Sequence, residues 1–468
     1  MKPNIVYIMA DDVGYGDFGC YGASKIRTPH IDQIAQNGIR FTDMHASGAL
    51  CTPSRYSVLT GGYCWRTWMK SFVLGGLGAP LIDPATPTVA SFLHGHGYET
   101  AAIGKWHLGL TWHAKDGNPL RARTQDGWAS DGFEVDYSRS IENGPRALGF
   151  DRWFGIAGSL DMPPYCFVEG DRVVAQPTVE KRVYLPQQRR GPQQEDWNDE
   201  QVDMVFAGKA SSFIDDHCRN RTGEPFFLYL TTSAPHRPCA PPAEFRGASE
   251  GGLRGDMVMV YDWVVGQVVD ALKRNGVYDD TLLIVTSDHG ARLTNFDGKD
   301  YGHKPNGDLR GGKGDIYEGG HRLPAVASWP AVIRAGRTSN ELLSTMDLLA
   351  TCTDIVDPAQ SAALQNDGRS FLPVLKDTPH SEPIHDYLVN HALDGMFAVR
   401  KGPWKLIMGL GSGGFSEPRR YSQDALSPPG QLYHLENDSR EFLNRWSSQP
   451  EIVQELSEAL LRIQDGRA

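Results

Sequence analysis

Several short clusters of polar residues in this chain could do chemistry on an anion. Asp11-Asp12 supplies paired carboxylates, and Cys51-Thr52-Pro53-Ser54-Arg55 sets a thiol one helical turn ahead of a guanidinium. Lys105 and His107 stand two residues apart, and His236 lies between prolines in Ala-Pro-His-Arg-Pro. Asp288-His289 joins a carboxylate to an imidazole, and Lys313 sits in the glycine-rich run Arg310-Gly-Gly-Lys-Gly. Clustered carboxylates suit a hard divalent cation such as Ca²⁺. Histidine is an unusual Ca²⁺ ligand, so His289 leaves Mg²⁺ open. Acids at these places also serve as plain turn or helix caps. Pro53 suits the first turn of a helix, which puts Cys51 at its N-terminus and Arg55 on the same face. That makes an anion site with a reactive side chain at its mouth, against the plainer reading of a buried structural cysteine. In an extended segment Lys105 and His107 share a side, offering a cation and a proton carrier to one anionic group. The alternative is a surface lysine and a core histidine. His236 is a candidate general acid or a structural loop histidine. Gly307 to Lys313 nearly imitates a nucleotide phosphate loop, but Gly314 replaces the required hydroxyl residue and no strand leads in. His94 and His96 lack the partners of a zinc site.

The elements that must position these residues are visible as apolar runs. Asn4–Ala10, Glu99–Ile103, Phe226–Thr232 and Thr281–Thr286 read as strands without alternation, which predicts a sheet covered on both faces. Helical periodicity appears in Pro29–Gly38, Thr86–Gly97, Asp199–His217 and Met257–Asn275. The fold class expected is α/β: a large doubly wound mixed sheet flanked by helices, with a smaller C-terminal α+β domain. Each apolar run is followed by one of the polar clusters, and open α/β sheets bind ligands beyond the carboxyl ends of their strands. The stretch 111–198 is weak in periodicity and reads as long insertions around that end. Residues 1–373 are expected to form the catalytic domain. Residues 374–468 are expected to form the smaller one, with a hairpin of Met396–Val399 and Trp404–Ile407, a strand at Gln431–Leu435 and an amphipathic helix at Glu451–Ile463.

Composition narrows the function. The chain has 468 residues, with 46 Lys+Arg against 57 Asp+Glu and a formal charge of −11, which argues against a nucleic-acid binder working by bulk charge. Seven cysteines form no disulfide or Cys-x-x-Cys framework, so free thiols are expected. No run approaches the ~20 apolar residues of a membrane span. The strand-like Asn4–Ala10 follows Met1 almost at once. The expected location is periplasmic or secreted if an export signal has been cut off, and cytoplasmic if Met1 is native. The oligomeric state is not legible.

Taken in order, these residues resemble the type I, formylglycine-dependent sulfatases of the alkaline phosphatase superfamily. Cys51-Thr-Pro-Ser-Arg55 followed by Leu59-Thr-Gly61 is similar to that family's signature. Ala10-Asp-Asp-Val-Gly14, Gly104-Lys-Trp-His-Leu-Gly109, Ala234-Pro-His236, Ser287-Asp-His-Gly290, Gly312-Lys-Gly314, Tyr317-Glu-Gly-Gly320 and Gln431-Leu-Tyr-His-Leu-Glu-Asn-Asp438 support the match from residue 4 to about 440. The resemblance implies a hydrolase of sulfate esters in which Cys51 is converted to formylglycine by a formylglycine-generating enzyme. One hydroxyl of the hydrated aldehyde would attack sulfur, and the second would expel sulfate as the carbonyl re-forms. It implies that Asp11, Asp12, Asp288 and His289 bind a Ca²⁺ (or Mg²⁺) that, with Arg55, holds the modified Cys51. Lys105 and Lys313 would neutralise the sulfate, His107 would take the proton of the second hydroxyl, and His236 would protonate the leaving alcohol. His289 departs from the family, where many members carry Asn.

A phosphodiester or phosphonate monoester hydrolase of the same superfamily is the nearest alternative, since both esters are tetrahedral anions. A non-catalytic binder of sulfated glycans and a thiolate hydrolase built on Cys51 are more distant. The thiolate reading needs a nearby histidine base and leaves the acid cluster and lysines unused. The expected substrate is a sulfated carbohydrate or another sulfated small molecule, with Trp65, Trp68, Trp112 and Trp128 as candidate stacking platforms.

Overall fold

A computed structural model of the protein describes residues 2–120, 130–181, 188–295, 297–363, 366–422 and 427–466. Among these the large sheet has eleven strands. Its centre is parallel. Asn4–Asp11 lies between Thr281–Ser287 and Phe226–Pro235, followed outward by Glu99–Lys105 and Arg152–Ile156. Arg322–Ser328 then pairs antiparallel with Thr281–Ser287 and with Ile39–His45, which makes the sheet mixed.

The first strand shows why its apolar run does not alternate. Ile5, Tyr7 and Met9 enter one core, whereas Val6, Ile8 and Ala10 enter the other. Helices Cys51–Thr60, Val89–Gly95 and Leu348–Val356 cover the first face through Val58, Leu59, Leu93 and Leu348. Pro29–Asn37, Val202–Asn220 and Gly252–Arg274 cover the second through Ile34, Phe206 and Val264. Each fully buried aliphatic side chain is worth about 1.5–3 kcal/mol, so the two cores supply the main favourable term that holds the layers together.

The C-terminal part is a four-stranded antiparallel sheet of Leu388–His391, Phe397–Lys401, Trp404–Ile407 and Gln431–His434. The amphipathic helix Pro450–Gln464 lies on one face, where Leu456 and Leu460 meet Val399 and Leu406. On the other face Ala398, Ile407 and Tyr433 pack on Ile316 and Tyr317, just past Lys313.

Three features differ from the sequence reading. Residues 111–198 are not only insertions: Arg152–Ile156 is a parallel strand of the main sheet. Ile39–His45 and Arg322–Ser328 are strands that a search for unbroken apolar runs passes over, because the first carries arginine, threonine and aspartate and the second contains a proline. The strand expected to stop at Ile103 continues to Lys105. Gly104 permits this with a φ of +113°, at a point where any Cβ would lie 1.8 Å from the Thr231 carbonyl oxygen.

Candidate active site

The carboxyl ends of the central strands deliver the polar clusters to one place. Asp11 ends the first strand, and Asp12 follows it in the left-handed region at φ +74°. Lys105 ends its strand, and Ser287 ends another, so Asp288 and His289 begin the next loop. Cys51 is the first residue of its helix, as Pro53 predicted, and Arg55 follows one turn later. Both are buried, Arg55 completely.

The geometry centres on Cys51. Its Sγ lies 3.1 Å from His289 Nε2, 3.5 Å from Asp11 Oδ1 and 3.9 Å from Lys313 Nζ. Arg55 donates from Nη2 and Nε to Asp288 Oδ2 at 2.9 and 3.2 Å, and from Nη1 to the Lys105 carbonyl at 2.9 Å. Lys105 pairs with Asp11 at 2.5 Å and Lys313 with Asp12 at 2.6 Å. His236 Nε2 stands 4.0 Å from Asp12 Oδ2. All the expected site residues are therefore brought together except that His107 sits slightly apart. It is not extended, as the sequence reading assumed, but turns at φ +58°. Its Nε2 donates to the Leu74 carbonyl at 2.7 Å. That hydrogen bond fixes the neutral tautomer and leaves Nδ1, buried and without a partner, as a proton acceptor.

Electrostatics follow from burial and these neighbours. Burial raises the Cys51 thiol and Asp11 adds to it, but Lys105, Lys313 and His289 outweigh both and bring it down to about 6. Burial also works against ionised Asp11 and Asp12, yet the surrounding cations hold both well below the usual carboxylate range. Burial raises Asp288 to about 6. His289 goes up to about 9, because Asp288 and Cys51 overcome the effect of burial. Burial, then Lys105 and Arg55, push His107 down to about 3. Burial and Lys313 lower His236.

Ligand atoms of Asp11, Cys51, Asp288 and His289 all lie within 4.8 Å of one another, as do those of Asp11, Asp12, Cys51 and His236. A set of three carboxylates that carry charge in water, gathered at strand ends, fits a hard cation. His289 is turned toward the cluster by donating from Nδ1 to the Gly290 carbonyl at 2.9 Å, which leaves Nε2 as the inward atom. The position of His289 also meets the one requirement of a thiolate hydrolase, but that chemistry gives Lys105, Lys313 and three carboxylates nothing to do.

Sequence reasoning missed the supports. Arg254 donates to the Asp12 carbonyl at 2.8 Å and pairs with Asp17 at 2.6 Å, fixing the strained turn. Thr52 donates to the His107 carbonyl at 3.0 Å. Asp203 accepts from the Ser233 amide at 2.7 Å behind His236. Arg254 and Asp203 are charges on the buried faces of helices that carry other charges as well, so nothing in the local pattern singles them out. Two of the four tryptophans offered as platforms are structural. Trp65 stacks on Tyr63, and Trp112 meets Tyr137 edge-on, both buried. Trp68 is part-exposed, and Trp128 lies outside the described residues.

Comparison with known proteins agrees with this geometry. The model of the Sulfatase family matches residues 3–358. An N-acetylgalactosamine-6-O-sulfatase of Bacteroides thetaiotaomicron is 33% identical over 98% of this chain and 92% of its own. A steryl-sulfatase of Rattus norvegicus is 34% identical over 86% of this chain and 75% of its own. A solved structure labelled 6S-sulf, described with the metabolism of multiple glycosaminoglycans by Bacteroides thetaiotaomicron, superposes with a TM-score of 0.82 at 31% identity, covering 99% of each chain.

Proposed function

Because this chain belongs to the sulfatase family, we propose that it removes sulfate from a sulfated carbohydrate by way of a formylglycine formed at Cys51. It is a sulfuric ester hydrolase, and the sulfate reading stands above a phosphodiester or phosphonate one. The observation that carries the proposal is the buried head of the Cys51–Thr60 helix, where the Cys-x-Pro-x-Arg motif meets two lysines and a carboxylate cluster.

Asp11, Asp12, Asp288 and His289 would hold Ca²⁺ or Mg²⁺, with the side chain at position 51 facing the same point. A bound divalent cation supplies Lewis acidity toward the sulfate oxygens. Formylglycine supplies, in its hydrated form, one hydroxyl able to attack sulfur and a second that lets the bond to sulfate break as the carbonyl re-forms. The remaining work belongs to the chain. Arg55 holds Asp288 in place and adds positive charge behind position 51. Lys313 and Lys105 offer charge to the sulfate oxygens, which gain negative charge as the ester bond stretches. His107 Nδ1, with its lone pair free and its ring neutral, accepts the proton of the second hydroxyl. His236 has its Nδ1 2.8 Å from the Arg237 carbonyl, so Nε2 is the nitrogen left for the leaving oxygen, and it donates a proton there from the doubly protonated ring, which the negative charge of a bound sulfate ester favours against burial and Lys313. The sugar assignment draws on the bacterial relative whose name specifies N-acetylgalactosamine 6-sulfate.

The test uses protein co-expressed with a formylglycine-generating enzyme, with position 51 checked by peptide mass spectrometry. Sulfate release is measured from sulfated mono- and oligosaccharides beside a phosphodiester and a phosphonate monoester. Faster turnover of a sugar sulfate is expected. Full activity with only thiol at position 51, or preferential cleavage of the phosphorus esters, would overturn the reading.

A further inference from the structure

The loop that leads into Cys51 and the loop that carries Lys313 are both bonded to the C-terminal part, and the mechanism above uses none of those bonds. The strand Leu388–His391 ends beside Gly48, which pairs in parallel with His391. The His391 amide donates to the Ser47 carbonyl at 3.2 Å, and the Ala49 amide donates to the His391 carbonyl at 3.0 Å. The Ala49 carbonyl in turn accepts the Gly314 amide at 2.8 Å, and the Gly314 carbonyl accepts the Leu393 amide at 2.8 Å. Ala49 stands two residues before Cys51, and Gly314 directly follows Lys313. The bonds therefore run in a closed circuit from the C-terminal part to the nucleophile loop, on to the lysine loop and back.

Two side chains lock the circuit. Asn390, buried, donates from Nδ2 to the Ala46 carbonyl at 2.6 Å. The buried ring of His391 covers Gly48, where a Cβ would stand 2.8 Å from His391 Cε1 and 2.9 Å from Pro53 Cβ. Pro53 belongs to the first turn of the Cys51–Thr60 helix, so the ring, the loop and the helix head meet at one point. Burial pushes His391 down to about 4, which keeps the ring neutral, and its Nδ1 has no hydrogen-bond partner. The ring thus acts by shape. Cys51 Sγ and Lys313 Nζ lie 3.9 Å apart although 262 residues separate them in the chain. Asp12 holds the Lys313 ammonium at 2.6 Å and the Ala291 carbonyl holds its amide at 2.9 Å, which fixes the lysine against the strand ends. The bonds to the C-terminal part fix the nucleophile loop against that lysine.

We propose that Asn390 and His391 are positioning residues of the sulfatase reaction, holding the chain from Ala46 to Ala49 so that the side chain at position 51 faces Lys313. The C-terminal part is then a component of the catalytic unit. A reacting group misplaced by about 1 Å typically loses about 10²-fold in rate, so a small shift of this loop is enough to be read in turnover. The inference rests on the sulfatase reading above.

The experiment uses mature enzyme, with formylglycine content measured by peptide mass spectrometry and thermal unfolding followed on the same samples. The probes are 6-O-sulfated N-acetylgalactosamine and nitrophenyl sulfate, with inorganic sulfate as a competing ligand. Release of sulfate by wild type from either probe secures the underlying reading, and its absence from both removes that reading together with the role. Asn390→Ala and His391→Ala should each lower kcat per mature molecule by about tenfold, with KM and inhibition by sulfate within about twofold of wild type. His391→Phe keeps a planar ring and should recover most of the rate lost in His391→Ala. Gly48→Ala drives a methyl group into the His391 ring and should lower kcat as well. Combined with His391→Ala it should turn over faster than Gly48→Ala alone, because the clash is gone. A role in stability only would lower the unfolding midpoints and leave kcat per mature, folded molecule unchanged. Unchanged kcat in Asn390→Ala and His391→Ala, or losses that simply add in the double variant, overturn the positioning role. Asn390→Ala alone decides where His391→Ala does not fold.

Discussion

Two buried ion clusters in this molecule have the same formal inventory and different meanings. At the strand ends, Asp11, Asp12 and Asp288 face Arg55, Lys105 and Lys313. Between the two sheets, Asp43, Glu318 and Glu441 face Arg322, Arg400 and Lys405. Each cluster also contains imidazoles, and each has a set of side chains that could hold a metal ion. The interface cluster closes on itself. Lys405 Nζ lies 3.0 Å from Glu318 Oε1, 3.0 Å from His321 Nε2 and 2.9 Å from Glu441 Oε1. His45 and His321 face each other Nδ1 to Nδ1 at 3.0 Å, while Asp43 holds the far nitrogen of His45 at 2.8 Å. Its cations come from both the large sheet and the C-terminal one, so it joins the two parts and anchors the loop that carries Lys313. The strand-end cluster instead converges on one sulfur and keeps an unspent acceptor at His107 Nδ1. Charge inventory does not tell a site from a fastener; convergence on a reactive atom with capacity to spare does.

The sharpest way to break that contrast is to remove one carboxylate from the strand ends. Asp12→Asn, or removal of the divalent cation by chelation, should take turnover to background. Chelation should move the unfolding midpoint less than it moves turnover, because two hydrophobic cores hold the sheet, whereas Asp12→Asn also leaves the buried Lys313 without its 2.6 Å partner and should lower stability as well. Turnover and thermal unfolding measured on the same sample check this. Metal-free enzyme that kept its rate would show that the acid cluster is as structural as its counterpart.

The next effect is chemical. A sugar alkoxide is a poor leaving group and needs a proton; a nitrophenolate hardly needs one. His236→Ala should therefore slow a sugar sulfate about 10²–10⁴-fold and an activated aryl sulfate far less. Lys313→Ala removes charge from the sulfate that both substrates share, so both rates should fall by comparable factors. Equal losses on both substrates for His236→Ala would leave it a positioning role only.

The strand-end cluster was legible in the sequence, and the interface cluster was not, for a physical reason. Asp11, Lys105, His236 and Asp288 each follow a run of apolar residues, so their place at a strand's carboxyl end is written locally. Asp43, His45 and Lys405 lie inside short strands of mixed character, and their partners are far away in the chain. His45 meets His321 across 276 residues and Arg400 meets Asp43 across 357. Local patterning carries no record of such pairings. The same limit hid Arg254 under Asp12. The tryptophans misled in the opposite way, since a large aromatic reads alike whether it fills a core or lines a cleft.

Breaking the interface cluster should change stability rather than chemistry. Lys405→Met deletes a cation that is 1% exposed and leaves Glu318 and Glu441 facing each other. Removing one partner from a buried pair typically costs about 3–5 kcal/mol. Denaturant unfolding should show a loss of that order, with turnover per folded molecule within about threefold of wild type. Site variants should show the reverse pattern. A Lys405→Met enzyme that was stable but slow would mean that the interface reaches into catalysis through the Lys313 loop.

The smallest expected effect is a pH dependence of the same interface. Burial and the neighbouring Glu318 raise Glu441 to about 7 against the pull of Lys405. In the unfolded chain the same carboxyl titrates near its ordinary value of 4.5. Between those values the folded state keeps a proton that the unfolded chain has released. The group's contribution to stability is therefore fully present below about pH 4.5 and is lost as pH rises through about 7. Glu441→Gln holds a neutral isostere at every pH and removes this dependence. The stability of wild type relative to Glu441→Gln should fall by about 1–3 kcal/mol from pH 5 to pH 8. Denaturant titrations of both proteins at the two pH values measure the difference. Parallel curves would mean that Glu441 is ionised throughout, and that Lys405 is shared between two full charges rather than committed to Glu318.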